Sequence, residues 1–261
     1  MSGPQTTDEH ACLDGVFDGA VNLRPVSALR AGSRRIRPGA LFRSGMTHQI
    51  APAALAELRS RIDLRAVIDL RTERELTRGL APFADAGIVH HHAPMEDPLD
   101  RDPGQRVRRV LLFRNGEWDW ATVYVRIAQA SGPSVRRAFE LVAGAAEVPL
   151  VIHCAAGRDR TGLTIALLLA ALGVDREAIA DDYTRSGPAL IPHVDRFFRA
   201  APTPNHGLTR DEAIRLLDTD RADMLRFLAK LDEELGGVEA YLDSIGVDDG
   251  LRTALRARLL E

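Results

Sequence analysis

Apolar positions along this chain fall into two spacings that alternate. Ala40-Leu-Phe-Arg-Ser-Gly45, Arg65-Ala-Val-Ile-Asp-Leu70 and Gly87-Ile-Val-His-His-His92 are short compact runs, which predict strands. Between and after them the period lengthens to that of a helix. Pro52–Arg61 leads Leu55, Leu58 and Ile62 onto one face, and Ser134–Ala146 does the same with Val135, Phe139 and Val142. Trp118–Ala130 also predicts a helix. Val148–Cys154 is a further strand, and Leu163–Gly173 is apolar nearly all round, the pattern of a central buried helix. Helices are predicted again at 175–185, 210–217, 221–235 (Met224, Leu228, Leu231 and Leu235 on one face), 238–245 and 248–260. Val16–Arg24 shows no clear period. Residues 93–115 read as a loop, and 187–205, broken by Pro188, Pro192, Pro202 and Pro204, as irregular. Strands separated by helices rather than hairpins predict an α/β fold on a parallel or mixed sheet.

Composition adjusts this picture only slightly. The chain has 261 residues, 45% hydrophobic and 27% charged, enough for one large domain. A net charge of −3 gives no general basic surface, so nucleic-acid binding is not expected. Lys230 is the only lysine, so almost all positive charge is arginine. The N-terminal residues carry no signal-peptide pattern, and residues 1–15 read as a disordered tail. No apolar run reaches membrane-spanning length, and no stable membrane insertion is expected. Cys12 and Cys154 form no disulfide framework. Cytoplasmic localisation is expected, with non-classical export left open.

The chemistry concentrates where the last strand meets its helix, in His153-Cys-Ala-Ala-Gly-Arg-Asp-Arg-Thr-Gly162. A loop that ends at a helix start presents unpaired N–H groups and the positive end of the helix dipole, which together bind a phosphate dianion. The same field favours the thiolate form of Cys154. Arg160 offers a planar fork for two phosphate oxygens. Thr161 can hydrogen-bond the sulfur as it leaves, and Gly157 lets the backbone turn close to the anion. The expected phosphate cradle is therefore Ala155, Ala156, Gly157, Arg158, Asp159 and Arg160, with Cys154 as nucleophile. His153 is expected to fix loop geometry.

This stretch resembles the HCxxGxxR[ST]G signature of the cysteine-dependent protein tyrosine phosphatase superfamily. Ala40–Gly45, Val67-Ile-Asp-Leu-Arg71, Asp182-Tyr183 and Gly236–Leu242 extend the resemblance to a bacterial branch, the tyrosine-phosphatase-3-like family, from about Val16 to the C-terminus. It implies a single domain over 16–261, with a central four- to five-stranded sheet flanked by helices and a helical lid at about 186–221. The implied activity is a phosphomonoester hydrolase that needs no metal and no cofactor. The implied partner is a phosphotyrosine protein, with dual or triple specificity or a phosphoinositide substrate as alternatives, and inorganic phosphate at the loop. A phosphate-binding pseudophosphatase is disfavoured because Cys154, Arg160 and Thr161 are all present.

Three questions stay open in the residues. Asp159, Asp69 and Asp97 are all candidates for the general acid. Trp118-Asp119-Trp120 is the nearest match to the family's mobile acid loop, but it sits in a predicted helix and reads as packing. Arg158 stands where related loops carry Lys, a residue taken in phosphoinositide phosphatases to contact extra ring phosphates. Arg43 and Arg71 read either as a basic rim or as buried ion pairs. His90, His91 and His92 alternate faces on a strand, so they do not converge on one metal. Cys12 reads as inert, with a reversible disulfide to Cys154 as the alternative.

Overall fold

The computed structural model describes residues 19–26, 29–45, 47, 50–77, 79–96, 103–144, 148–200 and 208–261. The expected tail, Cys12 and Asp97 lie outside them.

Five strands form the main sheet: β1 (Val21–Pro25), β4 (Leu41–Gly45), β5 (Ala66–Asp69), β6 (Val89–His92) and β7 (Leu150–Cys154), in the order β1-β4-β7-β5-β6. Two short strands, β2 (Arg30–Ala31) and β3 (Arg34–Arg35), pair separately. β4, β7, β5 and β6 run parallel, and β1 closes one edge antiparallel to β4. β4, β5 and β7 are buried at every position, as expected of parallel strands covered on both faces.

Alternation along these strands feeds two cores. Phe42, Val67 and Val151 face α1 (Pro52–Arg61), whose Leu55 and Leu58 fill that side. Leu41, Ile68 and Ile152 face the larger layer, built around α6 (Asp159–Leu172). Between the two lie α2 (Glu73–Leu76), α3 (Pro103–Arg114), α4 (Trp120–Ala130) and α5 (Gly132–Gly144) in chain order. The larger layer is completed by α7 (Arg176–Thr184), α11 (Arg221–Leu235), α12 (Gly237–Ser244) and α13 (Asp249–Leu259). α6 exposes little besides Asp159 and Ala170, as its all-round apolar pattern requires.

Three expectations are corrected. Val21–Pro25 is a strand; a bulge between Val21 and Arg24, with Asn22 at φ 54°, erases the period-two alternation. Within 93–115, residues 103–114 form α3 rather than loop. Within 187–205, read as irregular, the chain is helical where described: α8 (Ser186–Leu190), a 3₁₀ turn at Ile191–His193 and α9 (Val194–Ala200), while α10 (Arg210–Leu217) follows as expected. Pro188 and Pro192 fall in first turns, where their missing N–H costs nothing. Among the described residues no helix is long and apolar enough to cross a membrane.

Candidate active site

β7 is the middle strand and delivers Cys154 to the carboxyl edge of the sheet, where open α/β sheets place their ligands. There it pairs with Gly45 of β4, while its neighbour His153 pairs with Asp69 of β5. The chain then turns through 155–158 and enters α6. The Gly157 N–H donates to Cys154 Sγ at 3.2 Å, so a backbone amide already points at the sulfur. Close approach makes this turn possible. Gly157 has φ +71°, and a Cβ on it would lie 2.5 Å from the Ser44 carbonyl oxygen. A Cβ on Gly45 would lie 2.4 Å from the Ala156 carbonyl carbon. The loop therefore rests backbone to backbone on the end of β4.

The loop's polarity is set from behind. The Gly157 carbonyl accepts from Arg43 Nη2 at 2.8 Å and from Asn22 Nδ2 at 3.0 Å. Tying that carbonyl outward turns the Arg158 N–H, trans to it across a planar peptide, the opposite way. Arg43 in turn shares Asp182 with Arg24, each at 2.5 Å, all three buried. Burial alone would raise the Asp182 carboxyl, but the two guanidinium groups outweigh it and hold it below its usual range. Arg43 and Arg71 thus form buried ion pairs, not a basic rim.

Arg160 is 8% exposed, and its guanidinium is gripped end-on by Glu75 at 2.5 and 2.7 Å. Glu75 also accepts from the Thr72 N–H at 2.8 Å in a capping box that starts α2. Burial pushes its carboxyl up, yet Arg160 and Thr72 prevail and bring it down to about 2. Five N–H donors give a guanidinium the capacity to hold Glu75 and an anion together. Thr161 Oγ1 is buried with no hydrogen-bond partner, a donor held in reserve beside the loop.

His153 is fully buried, and burial pushes its ring down to about 4 although Asp69 pulls the other way, so it is neutral near pH 7. Thr47 Oγ1 lies 3.1 Å from its Nδ1, and Asp69 Oδ2 lies 3.6 Å from its Nε2. Asp69 is itself wholly buried, with both oxygens taken by Arg71 at 2.7 to 3.1 Å and His90 at 3.3 Å from Oδ2. Burial favours its neutral form; His153, His90 and Arg71 outweigh that and hold it well below the usual carboxylate range. A carboxylate so held has no proton to donate. Asp69 therefore belongs behind His153, not among the acids. His92 binds the Arg71 carbonyl at 2.7 Å, and among the described residues no His, Cys, Asp and Glu group suits a metal ion.

Asp159 is the first residue of α6, with its side chain 28% exposed. Its Oδ1 accepts from Arg158 Nε and from the Tyr124 hydroxyl, both at 2.9 Å. Arg158 departs from the expected substrate contact. It is 2% exposed, its guanidinium stacks 4.1 Å from the centre of the Trp120 ring, and its Nη1 donates to the Leu216 carbonyl near the end of α10. The side chain thus fastens the loop to the helical segment. Asp119 caps α4, and Trp118 and Trp120 meet edge to face at 5.2 Å, so that tripeptide packs as expected. The segment reaches the loop a second time, where Phe197 and Leu217 pack with Leu190, Val21 and Ala156.

The structure thus brings Cys154, Arg160, Thr161, His153 and Asp159 to one loop and sets Asp69 behind it. Glu75, Thr47, Asn22 and Tyr124 complete it, and Asp182, present in the sequence only as part of the Asp182-Tyr183 motif, anchors it from behind. Of the first four, Glu75 alone has a local signal, the Thr72-x-x-Glu75 capping box.

Comparisons with known proteins place the chain in a family. The family described as "Tyrosine phosphatase family" matches residues 16–261. The triple specificity protein phosphatase PtpB of Mycobacterium tuberculosis is 31% identical over 273 residues, covering 93% of this chain and 97% of the relative. A putative tyrosine-protein phosphatase of Cupriavidus necator is 30% identical, covering 90% of this chain and 85% of its own length. Superposition on the core catalytic domain of the S. cerevisiae PP-IP phosphatase SIW14 covers 76% of this chain and 92% of that one, at 16% identity and a TM-score of 0.35, and adds nothing to the assignment. The chain belongs to the tyrosine phosphatase family, and it is a phosphoric monoester hydrolase.

Proposed function

We propose that this enzyme hydrolyses phosphotyrosine in proteins through a phosphocysteine on Cys154. The observation that carries the reading is the Gly157 N–H donated to Cys154 Sγ, in a loop that ends at the N-terminus of α6. Cys154 Sγ attacks phosphorus in line with the ester oxygen, and the P–O bond breaks. The loop amides of 155–160 and the Arg160 guanidinium hold the equatorial oxygens throughout. Asp159 gives its proton to the leaving phenolate oxygen. Water then attacks phosphorus, returning its proton to Asp159, while the Thr161 hydroxyl steadies the departing sulfur. His153 and Asp69 position the loop and touch no reacting atom. Charge is balanced by backbone and Arg160, so this cycle asks for no metal.

Phosphoprotein is favoured over phosphoinositide because Arg158, the residue that would reach extra ring phosphates, is spent on Trp120, Asp159 and Leu216. The segment 186–221 acts in this reading as a lid, with Phe197 and Leu217 packed on the same Val21–Leu190 pair as Ala156 of the loop. A thiolate nucleophile suits the reducing cytoplasm.

Turnover of p-nitrophenyl phosphate in EDTA tests the mechanism. Wild type should turn over and be blocked by vanadate, and Cys154→Ser should bind vanadate without turnover. Activity retained by Cys154→Ser, or lost to EDTA, would refute it. A kinetic panel of phosphotyrosine peptides against phosphoinositides tests the substrate; a higher kcat/KM for the lipids would reverse the preference.

A further inference from the structure

Behind Asp159 stands a pair of buried phenols that the reaction above does not use. Tyr124, from the middle of α4, is fully buried, and its hydroxyl donates to Asp159 Oδ1 at 2.9 Å. Tyr183, near the end of α7, places its own hydroxyl 2.6 Å from that of Tyr124. Because the Tyr124 proton is committed to Asp159, the Tyr183 proton must be the one between the two oxygens. The donors therefore run in one direction, from Tyr183 to Tyr124 to Asp159. The rings are locked as well: Tyr124 meets Tyr183 and Phe227 edge to face at 6.0 and 5.9 Å.

A carboxylic acid carries its proton on one oxygen while the other accepts. Two donors, Tyr124 and Arg158 Nε, converge on Oδ1 of Asp159. We propose that Tyr124 is a positioning residue for Asp159: its phenol, aligned by Tyr183, makes Oδ1 the accepting oxygen and so assigns the proton for the leaving group to Oδ2. The proposal rests on Asp159 being the general acid. It explains why a carboxyl at the exposed start of a helix would need buried partners, since without them its two oxygens exchange roles by a simple rotation of the side chain. Burial holds both phenols protonated, with their ionisation pushed up, so they remain donors across the working range. The charged and titratable groups facing this chain are Arg158 from the loop, Asp159 from α6 and, on the Tyr183 side, Asp223 from α11.

Tyr124→Phe removes one hydroxyl and keeps the ring. The test compares it with wild type and Asp159→Asn on p-nitrophenyl phosphate and on phenyl phosphate, whose leaving oxygen needs a proton. Asp159→Asn should lose about 10²–10⁴-fold on phenyl phosphate and far less on the activated ester. Tyr124→Phe should lose about tenfold on phenyl phosphate only, a fraction of that general-acid effect. A donor to a carboxylate favours its ionised form, so its loss should also move the basic limb of the kcat/KM profile upward. Tyr183→Phe should show the same pattern more weakly, and thermal melts establish that each variant is folded. If Asp159→Asn behaves as expected while Tyr124→Phe matches wild type, or loses equally on both substrates with an unmoved limb, the positioning role is refuted and the acid stands. If Asp159→Asn retains phenyl phosphate activity, the acid itself is wrong and the positioning role falls with it.

Discussion

Replacing Glu75 by glutamine removes one charge from the two-point contact that orients Arg160 and keeps the side chain's shape. Holding the Glu75 carboxyl at about 2 against its ordinary 4.5 corresponds to about 3 kcal/mol in favour of the ionised form. Breaking a buried pair from one side costs about 3–5 kcal/mol, of which glutamine's remaining acceptor recovers a part. A loss of about 2–3 kcal/mol should lower the melting temperature by about 5–10 °C in a domain of this size. The variant leaves the Arg160 guanidinium buried without its counter-charge, and phosphate supplies one. Phosphate should therefore raise the variant's melting temperature more than it raises wild type's. Turnover should fall about 10–100-fold, because a guanidinium no longer held by Glu75 follows the bound phosphate and is misaligned with the oxygens of the transition state. Thr72→Ala is the control, since it weakens the same capping box, costing about 1 kcal/mol, while leaving the charge in place. Scanning fluorimetry across a phosphate titration, with kcat/KM alongside, reads all of this. A Glu75→Gln protein with wild-type melting, wild-type phosphate response and wild-type turnover would refute the reasoning.

Two further perturbations follow from the same geometry. Gly45→Ala should cut turnover by about 100-fold, because its Cβ would meet Ala156 backbone at 2.4 Å and push the loop off β4; an unchanged kcat would contradict the backbone contact. His153 is neutral in the fold down to about 4, whereas an unfolded histidine protonates near 6.5. The unfolded chain therefore binds the extra proton between those values, and stability falls as pH drops through that window, by up to about 3 kcal/mol. Urea unfolding at a series of pH values should show this slope and lose it in His153→Asn, and a His153 imidazole NMR signal, assigned by its loss in that variant, titrating near 6.5 in the folded protein would contradict it.

What the sequence made legible was local. Cys154 through Thr161 fall within one strand–loop–helix unit, so their spacing alone defines a phosphate cradle. The partners that complete the cradle come from far along the chain: Glu75 lies 85 residues from Arg160, and Tyr124 lies 35 from Asp159. No periodicity carries such pairings. Asp159, Asp69 and Asp97 were all candidates in sequence, with Asp159 ahead because it lies inside the loop and Asp69 read more readily as a structural hydrogen-bonding residue. Burial separates Asp69 from Asp159: each pairs with an arginine, but Asp69 is wholly buried with both oxygens bound, whereas the Asp159 side chain is 28% exposed. Arg158 was misread for a related reason, since a charged residue in a phosphate loop suggests the ligand. Its stem and guanidinium instead lie on Trp120, a site that only α4 packing creates. β1 was hidden by its bulge, and α8 and the 3₁₀ turn after it by Pro188 and Pro192, which sit in first turns where proline is tolerated.

The most direct test of the central claim is a rapid acid quench of enzyme with excess phosphotyrosine peptide, followed by peptide mass mapping. The account predicts a transient increase of one phosphoryl group on the peptide containing Cys154, absent in Cys154→Ser and accumulating further in Thr161→Ala as sulfur departure slows. Product formed at full rate with no phosphoryl group ever on Cys154, or with one on another residue, would contradict it.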